Sequence, residues 1–406
     1  MDSLTSPLIL VTGATGYIAS RLIPRLLDSD CRVRALAREP RRLYGRAWFD
    51  QIEIVHADVT LPDTLPRALE GVHTAYYLVH NMAHGRGYTA LELEAARAFA
   101  SAAERAGVKH IIYLGGLADP EQHLAPHMRS RIETGKVLRQ GKVPVTEFRA
   151  GVIAGSGSIS FEMIRFMTEL FPLVPGPLWL KNKSQPIAIQ NVIDYLLAAL
   201  TNPNGRGGVF EIGGAHIYTY ADLLLRYARL RGLNRRMFLL PGVPLWFMAL
   251  GVALMTPVPY PIAHALIGGL SADSVVKHPE ALQAFPEVTL IDFDTAVRDA
   301  LQRTHPDHIE RVWVDGRAGV KSLKHEGCFI LHLDSHLPQE RGVGVREFRH
   351  TPFGEMWLER DQNSRTILFA PRGFFGFLYW YLLYPFRWLK FYVLLWMRKQ
   401  QKSMRH

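Results

Sequence analysis

Gly13 and Gly16, three residues apart, follow directly on the apolar run Leu8, Ile9, Leu10 and Val11 and precede Leu22, Ile23, Leu26 and Leu27 at helical spacing. A strand, a glycine turn and then a helix is the order that binding a pyrophosphate requires. The backbone of the turn must come close to the phosphates, and the helix must point its N-terminal amides and dipole at their charge. Ala19, where the longer fingerprint has its third glycine, is still small enough for the helix to lie close on the strand. Short glycine turns also follow many strands that bind nothing. Here a second strand, Arg32 to Ala37, follows at the distance a βαβ unit requires, which favours the cofactor reading.

Holding such a turn takes a sheet. Ile52 to Val55 reads as a third strand ending in His56-Ala57-Asp58, Pro62 to Leu69 as a short helix, and Thr74 to Val79 as a fourth strand. Leu91 to Ala106 has helical periodicity and stops at Gly107, and Val108 to Leu114 is a fifth strand finishing at Gly115-Gly116. His123 to Arg139 reads as an active-site helix with its lead-in, and Val145 to Ile153 as a sixth strand. This alternation predicts an α/β fold, a Rossmann-like doubly wound parallel sheet.

Gly155-Ser156-Gly157-Ser158 leaves the sixth strand at the end where ligands sit in such sheets. Phe161 to Pro177 is expected as an apolar helix running into a Pro/Gly turn, followed by a helix over Asn191 to Leu200. Val209 to Ile212 and the helix Tyr220 to Leu230 are expected in a small substrate lobe. Val243 to Met255 is apolar but is followed by Pro257, Pro259 and Pro261, too short and interrupted for a membrane span. It reads as core or as a lid over a lipophilic pocket. A final helix over Asp292 to Gln302 and the pair His305-Pro306 place a boundary between residues 1–305, the dinucleotide domain with its substrate lobe, and 306–406, a small α+β region.

At 406 residues the chain is long for one domain, and 48% hydrophobic with 21% charged residues describes a globular protein. A net charge of +10 favours phosphate-bearing partners. With no nucleic-acid module, zinc spacing or arginine-rich arm, a dinucleotide or an anionic lipid ranks ahead of nucleic acid. Cys31 and Cys328, far apart, indicate neither a disulfide framework nor a thiolate metal site. The N-terminal residues lack the basic start and apolar core of a secretory signal, so a cytoplasmic protein is expected.

Taken together, Thr12-Gly13-Ala14-Thr15-Gly16-Tyr17-Ile18-Ala19, Val33-Arg34-Ala35-Leu36-Ala37-Arg38, Asp58-Val59 and Ile111-Ile112-Tyr113-Leu114-Gly115-Gly116-Leu117 resemble the atypical, NmrA-like branch of the short-chain dehydrogenase/reductase superfamily. The resemblance covers about Leu8 to Leu301. It implies that Thr12, Gly13, Thr15, Gly16, Tyr17 and Ile18 form the pyrophosphate turn and that Asp58, with Val59, receives the adenine amino group. It also implies that Leu78, Val79 and His80 line the cofactor after the fourth strand and that Gly115 borders it after the fifth. Arg38 sits where the second strand ends. A carboxylate there would hold the ribose hydroxyls of NAD(H), whereas a guanidinium pairs with the extra phosphate of NADP(H), with Arg34 and Arg41 as candidate helpers.

The chain departs from the superfamily at catalysis. Its reductases use a Tyr-x-x-x-Lys pair and a Ser at the end of the fifth strand, the Tyr protonating the carbonyl while the Lys lowers its pKa and holds the ribose. This chain has His127-Met128-Arg129-Ser130-Arg131 and Gly115-Gly116 instead. Arg131 keeps the charge and donors to anchor ribose but cannot exchange a proton. His127 could serve as general acid, since imidazole titrates near ~6.5, or could be a helix residue with no chemical role. Two functions stay open: an NADP(H)-preferring oxidoreductase acting on a lipophilic carbonyl or alkene, and a binding protein that holds NADP(H) as a sensor or structural cofactor.

The C-terminal part, with Phe369-Ala370-Pro371-Arg372-Gly373 and Leu378-Tyr379-Trp380-Tyr381, resembles a bacterial domain of unknown function often fused behind such reductases and related to START-like helix-grip folds. The resemblance implies a shortened sheet from Gly327 to Leu333, Glu355 to Glu359 and Thr366 to Phe369, with a helix against it. Phe374 to Met397 is the most apolar stretch of the chain, yet holds Pro385, Arg387 and Lys390. Those charges disfavour spanning a bilayer. The segment is expected either to pack as core or to lie peripherally in an anionic membrane interface.

Overall fold

A strand enclosed on both faces must be apolar throughout, and Leu8–Val11 (β1) has all four residues buried. The computed structural model describes residues 6–43, 46–79, 88–119, 121–122, 124–255, 260–303, 329–334, 345–360, 364–383, 385–386 and 389. From β1 the chain enters α1 (Tyr17–Leu27), then β2 (Arg32–Ala37), β3 (Glu53–His56), α2 (Leu65–Leu69), β4 (Thr74–Tyr77), α3 (Tyr88–Arg105), β5 (His110–Gly116), α4 (Pro126–Arg139) and β6 (Val145–Ala150). The second half holds β7 (Ile153–Ala154), α5 (Ile159–Leu170), β8 (Leu173–Pro177), β9 (Lys183–Ser184), β10 (Ile187–Ala188), α6 (Ile189–Thr201) and β11 (Val209–Ile212). It continues through β12 (Tyr218–Thr219), α7 (Tyr220–Leu230), β13 (Arg236–Leu240), α8 (Leu245–Met255), α9 (Tyr260–Gly269), α10 (Glu280–Ala284) and α11 (Phe293–Arg303).

The main sheet has seven strands in the order β11-β6-β5-β4-β1-β2-β3, and every pairing is parallel. One face packs Leu22, Ile23 and Leu26 of α1 with Val192, Ile193 and Leu196 of α6. The other packs Leu65 and Ala68 of α2, Ala96 and Phe99 of α3 and Leu138 of α4. β1 lies between β2 and β4, so the connections diverge there and open a crevice at the carboxyl ends of the strands. The expected α/β doubly wound fold is the one observed.

Three local expectations are corrected. Val209 to Ile212 does not belong to a separate lobe: as β11 it extends the main sheet, pairing in register with Glu147 to Ala150 of β6. The proline-rich stretch after α5 is not a turn but the strand β8, which pairs along its length with β13. Having a single neighbour lets β8 hold Pro175 and Pro177, because the missing amide donors face no second strand. The sixth strand also stops at Ala150 rather than Ile153, and Ile153–Ala154 pairs separately with β10. Within β6 the fully buried Glu147 is ion-paired to both Arg139 and Arg149.

β14 (Phe329–Asp334), β15 (Val345–Thr351), β16 (Gly354–Arg360) and β17 (Ser364–Pro371) form an antiparallel sheet in the order β14-β17-β16-β15. β15 was not legible because its residues, Val-Arg-Glu-Phe-Arg-His-Thr, carry too many charges to read as a strand. A helix over residues 373–383 packs on this sheet, with the Trp380 ring stacked on Phe369 at 5.5 Å between centroids. Phe377 meets Phe166 of α5 edge-on at 5.4 Å. Glu169, the penultimate residue of α5, completes the joint. Buried, it accepts from Tyr227, Arg231 and the Gly373 amide and lies 3.6 Å from Arg165. The expected boundary at 305/306 and, within the apolar stretch, residues 384, 387, 388 and 390–397, Arg387 and Lys390 among them, lie outside the described residues.

Candidate cofactor and active site

The crevice between β1 and β4 is closed at its base by Thr12. Its amide donates to Tyr76 O at 3.0 Å and its hydroxyl accepts from the Leu78 amide at 2.9 Å. The Thr12 side chain is therefore spent on joining the two strands. At Gly13, φ is +64° and an added Cβ would lie 2.7 Å from Leu78 O, so glycine is required on both counts. Gly16 is the N-cap of α1, where no side chain caps the helix and no acidic residue lies in the first turn. The first amides of an 11-residue helix are thus left to an incoming anion. Tyr17 and Ile18 would contribute through their amides; the Tyr17 hydroxyl points to Gly155, where an added Cβ would collide with it.

The cleft above this turn has a volume of about 190 Å³. Its walls include Gly13, Thr15, Gly16, Arg38, Asp58, Val59, Leu78 and Val79, and also Leu36, Ala37, Glu39 and Arg42, which sequence reasoning missed. Asp58 Oδ1 accepts from the Thr60 amide and hydroxyl at 2.9 and 2.8 Å, while Oδ2 lies 3.9 Å from Arg38 Nε. Of the two expected helpers, Arg34 is buried and committed elsewhere. It donates to Ala68 O and Glu70 O and pairs with Glu53 at 3.0 Å, tying β2 to the end of α2. The side chain of Arg41 and the whole of His80 lie outside the described residues. Arg42, brought into the cleft by a 3₁₀ turn over Pro40–Leu43, is the second cation there. Only the turn chemistry of Pro40 after β2 hinted at it.

His127 and Arg131 are one turn apart on α4, which crosses the end of β5. An added Cβ on Gly116 would lie 2.8 Å from Met128 Cε and 2.9 Å from Arg131 Cδ, so glycine at that point lets the helix settle on the strand. Tyr113, whose phenol burial pushes up and keeps neutral, donates to Arg131 O at 2.9 Å. Ser130 donates to the buried Glu92 of α3 and so serves packing. His127 is buried, and its ring faces α9: an added Cβ on Gly269 would lie 3.1 Å from both Cε1 and Nε2. Gly115 does not wall the Arg38 cleft; an added Cβ there would lie 3.1 Å from Tyr113 Cε1. The Gly155-Ser156 segment borders a separate groove against α1, α6 and α11.

Beyond α9 is a cavity of about 100 Å³ lined by Met163 and Met167 of α5, Trp179, Met248 and Val252 of α8, and Leu266, Ile267 and Leu270, with Ser160 as one of its few polar members. The last turn of α9 thus has this cavity on one side and His127 on the other. Among the described residues no group of His, Cys, Asp and Glu is placed to hold a metal ion.

A model of the NmrA-like family matches residues 5–224. The (4-alkanoyl-5-oxo-2,5-dihydrofuran-3-yl)methyl phosphate reductase of Streptomyces griseus is 29% identical over 274 residues, 64% of this chain and 85% of that one. The photosystem II assembly factor Ycf39 of Cyanophora paradoxa is 24% identical over 249 residues, 60% of this chain and 73% of that one. Among solved structures, an NADPH-dependent quinone oxidoreductase of Escherichia coli complexed with NADPH superimposes with a TM-score of 0.59 at 19% identity, covering 72% of this chain and 99% of that one. At that identity the likeness speaks to the fold.

Proposed function

Since this chain belongs to the NmrA-like family, whose model spans more than half of its length, we propose that it is an oxidoreductase that binds NADP(H) in preference to NAD(H) and reduces a lipophilic carbonyl compound or alkene. The observation that carries this reading is the cleft at the β1/β4 crevice, with no room for a side chain at Gly13 and two arginines at its far end. When bound, the dinucleotide supplies the hydride. The amides of α1 hold its pyrophosphate, Arg38 and Arg42 pair with the ribose phosphate, and Arg131 holds the ribose near the substrate. Glu39 shares the arginine end and suits ribose hydroxyls, which keeps NAD(H) as the competing cofactor. His127 gives the proton to the substrate, whose apolar part lies in the cavity beyond α9. A reductase relative whose substrate name includes an alkanoyl group, and an apolar cavity across the last turn of α9 from His127, support that substrate class.

The competing reading, a silent NADP(H)-binding protein, is favoured by the burial of His127 and by Gly116, where the Met128 and Arg131 side chains of α4 would have to shift to admit a serine. Following NADPH oxidation with long-chain ketones, enals and quinones separates the two. The reductase reading expects turnover that His127→Ala abolishes while leaving cofactor affinity within twofold. Turnover that survives the substitution moves the acid elsewhere, and no hydride transfer with any compound leaves the silent reading.

A further inference from the structure

The 11 residues of α8 include no polar side chain. A surface helix ordinarily turns a polar face to water, yet α8 is enclosed on one side only. Ala249 and Val252 are buried, whereas Trp246 and Phe247 are each 55% exposed and Leu250 is 41% exposed. Phe238 and Leu240, alternate residues of the preceding strand β13, are exposed as well. The helix over 373–383 repeats the arrangement: Phe377 and Trp380 are buried, while Phe374, Phe375, Leu378, Tyr381 and Leu382 are exposed.

These two faces share one support. Met163 and Met167 of α5 pack against α8 and α9, and Phe166 and Leu170 of the same helix pack under residues 373–383. Gly373 lies against Leu233 and Arg235, so the second helix starts beside the residue that leads into β13. Two exposed cations stand at these starts, Arg236 at β13 and Arg372 before the helix, in a chain of net charge +10.

A protein partner would need a surface shaped to two separate helices at once. An anionic membrane interface needs no such shape, since Trp and Tyr rings sit at the headgroup level, Phe and Leu side chains sink into the acyl boundary below it, and nearby arginines pair with the headgroups. Among the described residues no helix is long and apolar enough to cross a membrane, so contact would be peripheral. Met248 and Val252 of α8 also line the apolar cavity. A compound that suits that cavity partitions into lipid, and α8 is the wall between the two.

We infer that the exposed face of α8 and that of the helix over 373–383 rest together on an anionic bilayer, and that the α8–α9 pair passes a bilayer-resident substrate into the cavity. The substrate part rests on the reductase reading; the docking part does not. The test is co-sedimentation of the full chain with vesicles of phosphatidylcholine alone and with added phosphatidylglycerol. Binding is expected to the anionic vesicles and to weaken with salt. Trp246→Ser with Phe247→Ser, and separately Phe374→Ser with Phe375→Ser, should each lower it at least tenfold without changing NADPH affinity. No sedimentation with either vesicle, or both variants binding like the parent, overturns the docking. A dimer in solution that the Trp246 and Phe247 substitutions dissociate, without vesicle binding, also overturns it and makes the face a contact between copies. Vesicle binding with no NADPH binding upholds the docking and removes the reductase reading alone.

Discussion

Arg38→Ala isolates the group on which cofactor choice is proposed to turn. Its side chain is 52% exposed and its Nε lies 3.9 Å from Asp58 Oδ2, a loose pairing that a phosphate can displace. A hydrogen bond to a charged group contributes about 1.5–3 kcal/mol, and solvent around a half-exposed guanidinium places this one at the lower end. About 1.5 kcal/mol is roughly a tenfold loss of NADPH affinity. NADH, which lacks the phosphate, should bind Arg38→Ala within twofold of the parent. Arg42→Ala should act in the same direction, and the double variant should lose less than the product of the two, because both cations serve one phosphate. Calorimetric titration with each dinucleotide at one fixed salt concentration reads these numbers directly, since screening alters surface pairing. An unchanged preference would refute the assignment of Arg38. An equal loss for both dinucleotides would show that it touches a part they share.

Glu169→Ala should destabilise the protein by about 1–3 kcal/mol, because the buried Tyr227 hydroxyl and Gly373 amide lose their acceptor, while Arg165 keeps its ion pair with Glu162. Glu169→Gln should cost less by keeping its acceptor oxygen; equal midpoints for all three proteins in thermal melts would contradict the role given to this joint. His110 is buried and bonded to Thr146 at 2.8 Å, and its pKa is lowered to about 4, first by burial and then by Arg206. Its unfolded value is near 6.5, so between about pH 6.5 and 4 the unfolded chain takes up a proton that the folded chain refuses. Stability should fall by about 3 kcal/mol over that window and level off below it. His110→Gln should flatten this part of a denaturant-derived stability profile; an unchanged slope would show that other groups cause it.

The parallel sheet was legible because its strands are short apolar runs punctuated by glycines, and both signals are local. Gly13 is placed in the turn by its spacing together with the second strand that follows, and the structure adds why glycine is needed there, the nearness of Leu78 O. What escaped depended on distant partners. β8 holds two prolines and a glycine, and nothing within it announces β13, some 60 residues later. β11 looks like any short strand, and only its return to β6 across an intervening lobe makes it part of the main sheet. Arg34 and Arg42 are the same residue type only eight residues apart. One is buried against the carbonyls of residues 68 and 70 and the other opens to the cleft, a distinction that exists only once α2 has packed.

The return of β11 has a consequence during synthesis. β6 leaves the ribosome before its outer neighbour does, with Ile212 emerging 62 residues after Ala150. At ordinary elongation rates that interval is about 3–12 s. Throughout it the outer edge of β6 is an open template for another chain. Glu147 and Arg149 flank Phe148 on this strand, and unpaired edges are guarded by such charges. A copy pairing on that edge would have to bury the charges of Glu147 and Arg149, which makes β6 a poorer template during this interval than an all-apolar strand would be.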